Sequence, residues 1–149
     1  MHPALDRLVG TWRLEGRQLE GPFGPAVPVA ARETYEWLAG DKFLVHRFEG
    51  TVGGAPAACI ELISHDDARG VYPRVSYYTD GAVREWESRE KDGTWIVTQA
   101  GRAEPGEPRT RCTLELGDGG RTMTENWEYS NDGLTWRTFW DVRAMKETR

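Results

Sequence analysis

Two side chains stand out as able to do chemistry. His46 lies in the apolar run Phe43-Leu44-Val45-His46-Arg47-Phe48. Set beside Tyr35 in aromatic surroundings, a neutral imidazole can hold the polar head of a ligand or act as a base titrating near neutral pH. Glu125 is followed by Trp127 and faces a later segment holding Trp136 and Trp140. A carboxylate among indoles is desolvated and its pKa rises unless a cation such as Arg84 neutralises it. Arg84 is also a candidate anion anchor. His65-Asp66-Asp67 looks like a fragment of a metal site, but no second cluster in the sequence supplies the other ligands, so no metal is expected. Cys59 and Cys112 form no C-x-x-C pair and are read as free thiols. There is no G-x-S-x-G elbow, P-loop or dinucleotide fingerprint. Gly53-Gly54 and Gly117-Asp118-Gly119-Gly120 read as hairpin turns. The balance favours binding over catalysis.

The elements that position these residues are strands. The chain has 149 residues, and its 17 Gly and 8 Pro punctuate it at intervals of about 8–12 residues, the spacing of an all-β barrel or sandwich. Ten strand-like runs cover roughly 10–20, 30–38, 42–52, 57–65, 72–80, 82–90, 94–102, 109–117, 121–130 and 134–146. Residues 3–9 suit a short helical turn, with Leu5, Leu8 and Val9 on one side as a plug. The Pro/Gly-rich stretches 19–30 and 102–108 are loops that could gate a pocket. No linker divides the chain, so 1–149 is read as one domain.

Turn length settles which residues of paired strands share a face. An even-length loop at Gly40-Asp41 pairs Leu38 with Phe43 and puts Tyr35, Trp37, Leu44, His46 and Phe48 together. At Asp132-Gly133 the same reasoning groups Met123, Glu125, Trp127 and Tyr129 with Trp136, Thr138, Trp140 and Val142. Asp92-Gly93 joins a strand bearing Arg84, Trp86 and Ser88 to one bearing Trp95, Val97 and Gln99. A meander of this many antiparallel hairpins closes rather than leave two edges open. The expectation is an all-β, single closed antiparallel up-and-down barrel of about ten strands with a short N-terminal helical turn.

The opening Leu8-Val9-Gly10-Thr11-Trp12 resembles the start of calycin barrels. Together with Tyr35-Glu36-Trp37-Leu38-Ala39-Gly40-Asp41-Lys42-Phe43-Leu44, Phe48-Glu49-Gly50 and the closing Tyr129-Ser130-Asn131-Asp132-Gly133-Leu134-Thr135-Trp136, the chain is similar to a bacterial lipocalin-like family described as a domain of unknown function. That family is related to nitrobindin and fatty-acid-binding-protein barrels. The resemblance implies a ten-stranded calycin-like barrel with an inner cavity for a small apolar molecule. Nitrobindins bind haem through a histidine near the C-terminal end, but Arg121 to Met145 contains none; the three histidines are His2, His46 and His65. The Arg and Tyr with which fatty-acid-binding proteins hold a carboxylate are also missing, because Arg143 is followed by Ala144-Met145. By the same resemblance Arg143 packs over Trp12.

The formal net charge of −5 and pI near 5.3, with no basic run, argue against nucleic acid or an anionic membrane as partner. No apolar run spans a bilayer and no signal peptide is evident, so a cytoplasmic protein is expected. The expected function is binding of a small apolar or aromatic molecule by Tyr35, Trp37, His46, Phe48, Arg84, Glu125, Trp127 and Trp140. No cofactor is expected. The alternatives are a small-barrel isomerase or cyclase in which His46 or Glu125 moves a proton, a haem protein, and a filled barrel forming a homodimer through Phe43 and Val45.

Overall fold

The structure, a computed structural model, describes residues 2–101 and 105–148. One short helix, α1 (Pro3–Asp6), precedes the strands β1 (Gly10–Gln18), β2 (Val27–Trp37), β3 (Leu44–Val52), β4 (Ala55–Ile63) and β5 (Tyr72–Tyr78). The second half holds β6 (Val83–Lys91), β7 (Thr94–Gln99), β8 (Arg109–Gly117), β9 (Thr122–Ser130) and β10 (Arg137–Lys146). Each strand pairs antiparallel with the next, and β1 pairs with β10 as well as β2, closing a ten-stranded up-and-down barrel. Closure pairs every strand on both sides and removes both sheet edges. Residues 102–104, part of the second Pro/Gly-rich stretch, lie outside the described residues.

The hairpins follow local turn chemistry. Gly53-Gly54 (φ 60° and 81°) and Asp92-Gly93 (φ 52° and 87°) make two-residue turns whose left-handed backbone matches the twist of the flanking strands. At Gly40-Asp41 the Leu38 N–H donates to the Phe43 carbonyl at 2.9 Å, and Tyr35 pairs with His46. Gly50 faces inward where β3 crosses close to β2: a Cβ there would come within 2.2 Å of the Ala30 carbonyl oxygen.

Several expectations are corrected. The loop from residue 19 ends earlier, because Val27–Ala30 already belong to β2. Pro28 sits second in that strand, where its missing N–H is tolerated and its carbonyl accepts the Gly53 N–H at 2.8 Å. The last strand starts at Arg137, because Asp132 Oδ1 accepts the N–H groups of Leu134 and Thr135, each at 2.8 Å, and folds that segment into a loop. A bulge then falls between Thr138 and Trp140. It leaves Thr138 paired with Glu128 and its outward hydroxyl accepting the Asn126 Nδ2–H at 3.3 Å, while Trp136 lies under the Arg111 guanidinium, 4.0 Å from the ring centre. Trp127 and Trp140 remain paired and inward-facing. Finally, Arg143 is exposed opposite Glu15, because alternation turns Val142 and Ala144 inward; Lys146, in register with Trp12, places its ammonium 4.9 Å from that ring.

One end of the barrel is plugged. Leu5 and Leu8 are fully buried against Trp12, Leu44, Ile63 and Trp95. The Trp12 Nε1–H donates to the Leu8 carbonyl at 2.9 Å and the Trp37 Nε1–H to Asp6 Oδ1 at 3.0 Å. A four-residue helix has no stability of its own. Burial of the two leucines, each contributing about 1.5–3 kcal/mol, holds it in place. Val45, proposed for an exposed dimer patch with Phe43, is buried between its cross-strand neighbours Glu36 and Leu62, whereas Phe43 is exposed. No helix among the described residues is long and apolar enough to cross a membrane.

Candidate functional site

The barrel ladder brings one row of inward side chains into register across five strands: Tyr35, His46, Glu61, Ser76 and Arg84, each directly opposite the next. Tyr35 stacks flat on His46, with ring centres 4.1 Å apart and planes 5° from parallel. The imidazole sits between two carboxylates, Nε2 at 3.4 Å from Glu33 Oε1 and Nδ1 at 3.4 Å from Glu61 Oε1. Glu61 also receives the Arg74 Nη1–H at 3.1 Å and the Ser76 hydroxyl at 2.7 Å. Ser76 in turn accepts the Trp86 Nε1–H at 3.1 Å, and Arg74 Nε donates to the Ser88 hydroxyl at 2.9 Å. This network forms a charged floor halfway down the barrel, above the plug.

Above the floor lies a cavity of about 430 Å³. Its walls are aromatic and apolar, with Phe48, Trp86, Val97, Trp127, Phe139 and Trp140 among them. It extends to the end opposite α1, where it meets the exposed residues Phe23, Asp80 and Glu107. Phe23 belongs to the loop between β1 and β2 and packs against Phe139 with ring centres 4.4 Å apart. Gln18 fastens that loop by donating to the Pro25 carbonyl at 3.0 Å. Residues 19–26, expected to gate a pocket, thus lie beside the mouth, with Phe23 in the cavity lining.

The electrostatics differ from the sequence reading in one respect. Burial opposes the His46 imidazolium, but the neighbouring carboxylates of Glu33 and Glu61 outweigh it and push the pKa up to about 10. His46 is therefore charged at neutral pH and is not a base there. Burial likewise opposes ionisation of Glu61, yet Arg74 first, then His46, hold its carboxyl down at about 2. Glu125 pairs directly with neither cation, although the charge of His46 lowers its carboxyl somewhat. Burial, followed by the charge of Glu33, pushes its carboxyl up to about 7, against the opposing hydrogen bond from Trp127 Nε1 at 2.6 Å. Arg84 does not neutralise Glu125; at the mouth it pairs with Glu107 at 3.4 Å. Glu125 is thus the cavity side chain poised to move a proton near neutral pH. Both cysteines are free. Burial pushes the Cys59 thiol up to about 12 and raises Cys112 as well, so neither is an activated nucleophile.

Seven of the eight sequence-predicted residues, Tyr35, His46, Phe48, Arg84, Glu125, Trp127 and Trp140, line this one cavity. Trp37 does not: it shares their inward face, but at the closed end, where Asp6 engages its indole. Glu33, Glu61, Arg74 and Ser76 escaped the sequence reading. The first two were within its reach. Glu33 is two residues before Tyr35 on the same face, and the two-residue turn at Gly53-Gly54 sets Glu61 opposite His46. Arg74 and Ser76 follow a longer connection whose length sets no register.

His46 is not disposed to ligate a haem iron. As an imidazolium between two carboxylates its ring has no free lone pair, and one ring face is covered by Tyr35. Among the described residues no other histidine lines the cavity.

The model of a family described as "Protein of unknown function (DUF1579)" matches residues 1–84. No curated protein matches the chain. Fourteen chains of solved structures match it. Among them is the crystal structure of Rv2717c from M. tuberculosis, with a TM-score of 0.73 and 12% identity over 99% of each chain. At that identity the likeness concerns the fold.

Proposed function

We propose that this chain, which belongs to the DUF1579 family, holds a small, mostly apolar molecule inside its barrel. The observation that carries the reading is a cavity of about 430 Å³ with aromatic walls over a polar floor, plugged at one end and reaching the surface at the other. Its size falls in the range of small-molecule sites, about 300–1,000 Å³, and its make-up matches theirs: an apolar lining that supplies affinity and a few fixed polar groups that orient the ligand. Trp127, Trp140 and Phe48 would contact the body of the ligand, and Glu125 its polar group. The reading takes the barrel as calycin-like, the group its Gly10-Thr11-Trp12 opening resembles, and the protein as a carrier or sequestering protein.

Native mass spectrometry beside a denaturing run tests it, together with titration of the apolar aromatic dye 1-anilinonaphthalene-8-sulfonate. The expected result is a retained small molecule or saturable dye binding that Trp127→Ala and Trp140→Ala weaken. A ligand-free native mass combined with no saturable dye binding would overturn the proposal. A second reading rests on Glu125, whose carboxyl near 7 suits general acid or base work in an isomerase or cyclase. Under that reading Glu125→Gln abolishes turnover of a molecule that still binds; under the first it changes affinity only.

A further inference from the structure

The plugged end of the barrel brings together three metal-type donors that the sequence separates widely. His65 and Asp67 lie in the connection between β4 and β5, and His2 immediately precedes α1. His65 Nδ1 is 3.3 Å and His2 Nε2 3.7 Å from the same oxygen, Asp67 Oδ1, and the two imidazole centres are 4.9 Å apart. One donor atom from each residue lies within 4.8 Å of the others. Ligands about 2.0–2.1 Å from one tetrahedral ion stand about 3.3 Å from each other, so small side-chain adjustments would close the set.

Both halves of the cluster are anchored. In the β4–β5 connection the Asp66 N–H donates to the Val71 carbonyl at 2.8 Å and the Gly70 N–H to the Asp66 carbonyl at 2.9 Å. The Asp66 carboxylate turns into its own loop to accept the Arg69 N–H at 3.2 Å, whereas that of Asp67 reaches both histidines. On the other side, α1 is held by Leu5 and Leu8, and the His2 ring stands edge-on to Tyr72, whose hydroxyl is 3.3 Å from His2 Nδ1. The imidazole side chains are 25% and 24% exposed, whereas Asp67 is 76% exposed. The site is therefore preformed on its histidine side and open to an ion on its carboxylate side.

We infer that His2, His65 and Asp67 form a site for a divalent transition-metal ion of the zinc type, which would staple the N-terminal plug to the β4–β5 connection. Two imidazoles and one carboxylate suit zinc, cobalt or nickel rather than calcium or magnesium, which require mostly oxygen donors. Three protein ligands leave a fourth position for water, and binding couples to the fold because the ligands come from two separate elements.

The test uses the chain free of any affinity tag, titrated with Co²⁺ by visible absorption and with Zn²⁺ by calorimetry. One equivalent is expected, with a four-coordinate cobalt spectrum. His65→Ala and His2→Ala should each weaken binding at least tenfold, and Asp67→Asn should weaken it to a lesser degree. At a hundredfold excess over the native dissociation constant, Zn²⁺ should raise the melting temperature by about 5–10 °C in the native sequence and by no more than about half as much in His65→Ala. Matching far-UV spectra and equal melting temperatures in chelator would show that the variants fold. No saturable uptake, or uptake unchanged in both histidine variants, would overturn the inference.

Discussion

Replacing Glu125 with glutamine should stabilise the protein at neutral and alkaline pH and leave it unchanged in acid. In the folded chain burial, and after it the charge of Glu33, move the carboxyl from its ordinary 4.5 up to about 7. Between those values the unfolded chain has already lost the proton that the folded chain keeps. The unfolded state then binds fewer protons, so stability falls as pH rises through this window and levels off above it. Across the gap, at about 1.4 kcal/mol per pH unit, the loss amounts to about 3 kcal/mol. Glutamine keeps the shape and the oxygen that accepts the Trp127 indole N–H, and it carries no ionisable proton. The difference in unfolding free energy between variant and native chain should therefore be near zero at pH 4 and climb to about 3 kcal/mol by pH 8, or about 6–12 °C in melting temperature. Urea denaturation of both chains from pH 4 to pH 8.5 measures it, and subtraction cancels the titrating groups that do not interact with Glu125. A flat difference curve, or a glutamine variant less stable at pH 8, would show that Glu125 is not a desolvated carboxyl in this cavity.

Arg74→Met should destabilise the fold by about 3–5 kcal/mol in urea unfolding, because it leaves the Glu61 carboxylate buried without its strongest partner. Adding Glu61→Gln to that variant should restore part of the loss; a cost below about 1 kcal/mol for Arg74→Met alone would contradict the buried ion pair. His46 should hold its charge from pH 5 to pH 8, so its ring resonances in NMR should stay constant there and titrate near 10. Its folded pKa lies above the unfolded value of 6.5, so the stability it contributes is fully present below pH 6.5 and lost as pH rises through about 10. A midpoint near 6.5 would remove the imidazolium from between its two carboxylates.

Much of the barrel was legible in the residues alone. Alternation and short glycine turns placed Tyr35, His46 and Phe48 together on one hairpin face and Trp86, Ser88 and Val97 together on the face of another hairpin. Both signals are local: a strand reverses its side chains at every residue, and a two-residue turn leaves no freedom of register. The plug was equally readable, because Leu5 and Leu8 form an apolar side on a segment too short to fold alone. The last hairpin was misread on one strand. Asp132 draws residues into its loop through main-chain hydrogen bonds and the bulge at Phe139 adds one more residue, so Trp136 and Thr138 point outward while Trp140 stays in.

What only the tertiary structure decided was the chemistry of the interior. The sequence presented His46 as a neutral base and Glu125 as an acid that Arg84 could neutralise. Closure of the barrel instead set Glu33 and Glu61 on either side of His46, gave Arg74 to Glu61, drew Arg84 away to Glu107, and left Glu125 with no cation paired to it. It also gathered His2, His65 and Asp67 at the plugged end. Which face a side chain takes is a property of its own strand and nearest turn. Which charge it meets there depends on strands far away in the chain, brought close by closure, and in a low-dielectric interior that neighbour sets the proton.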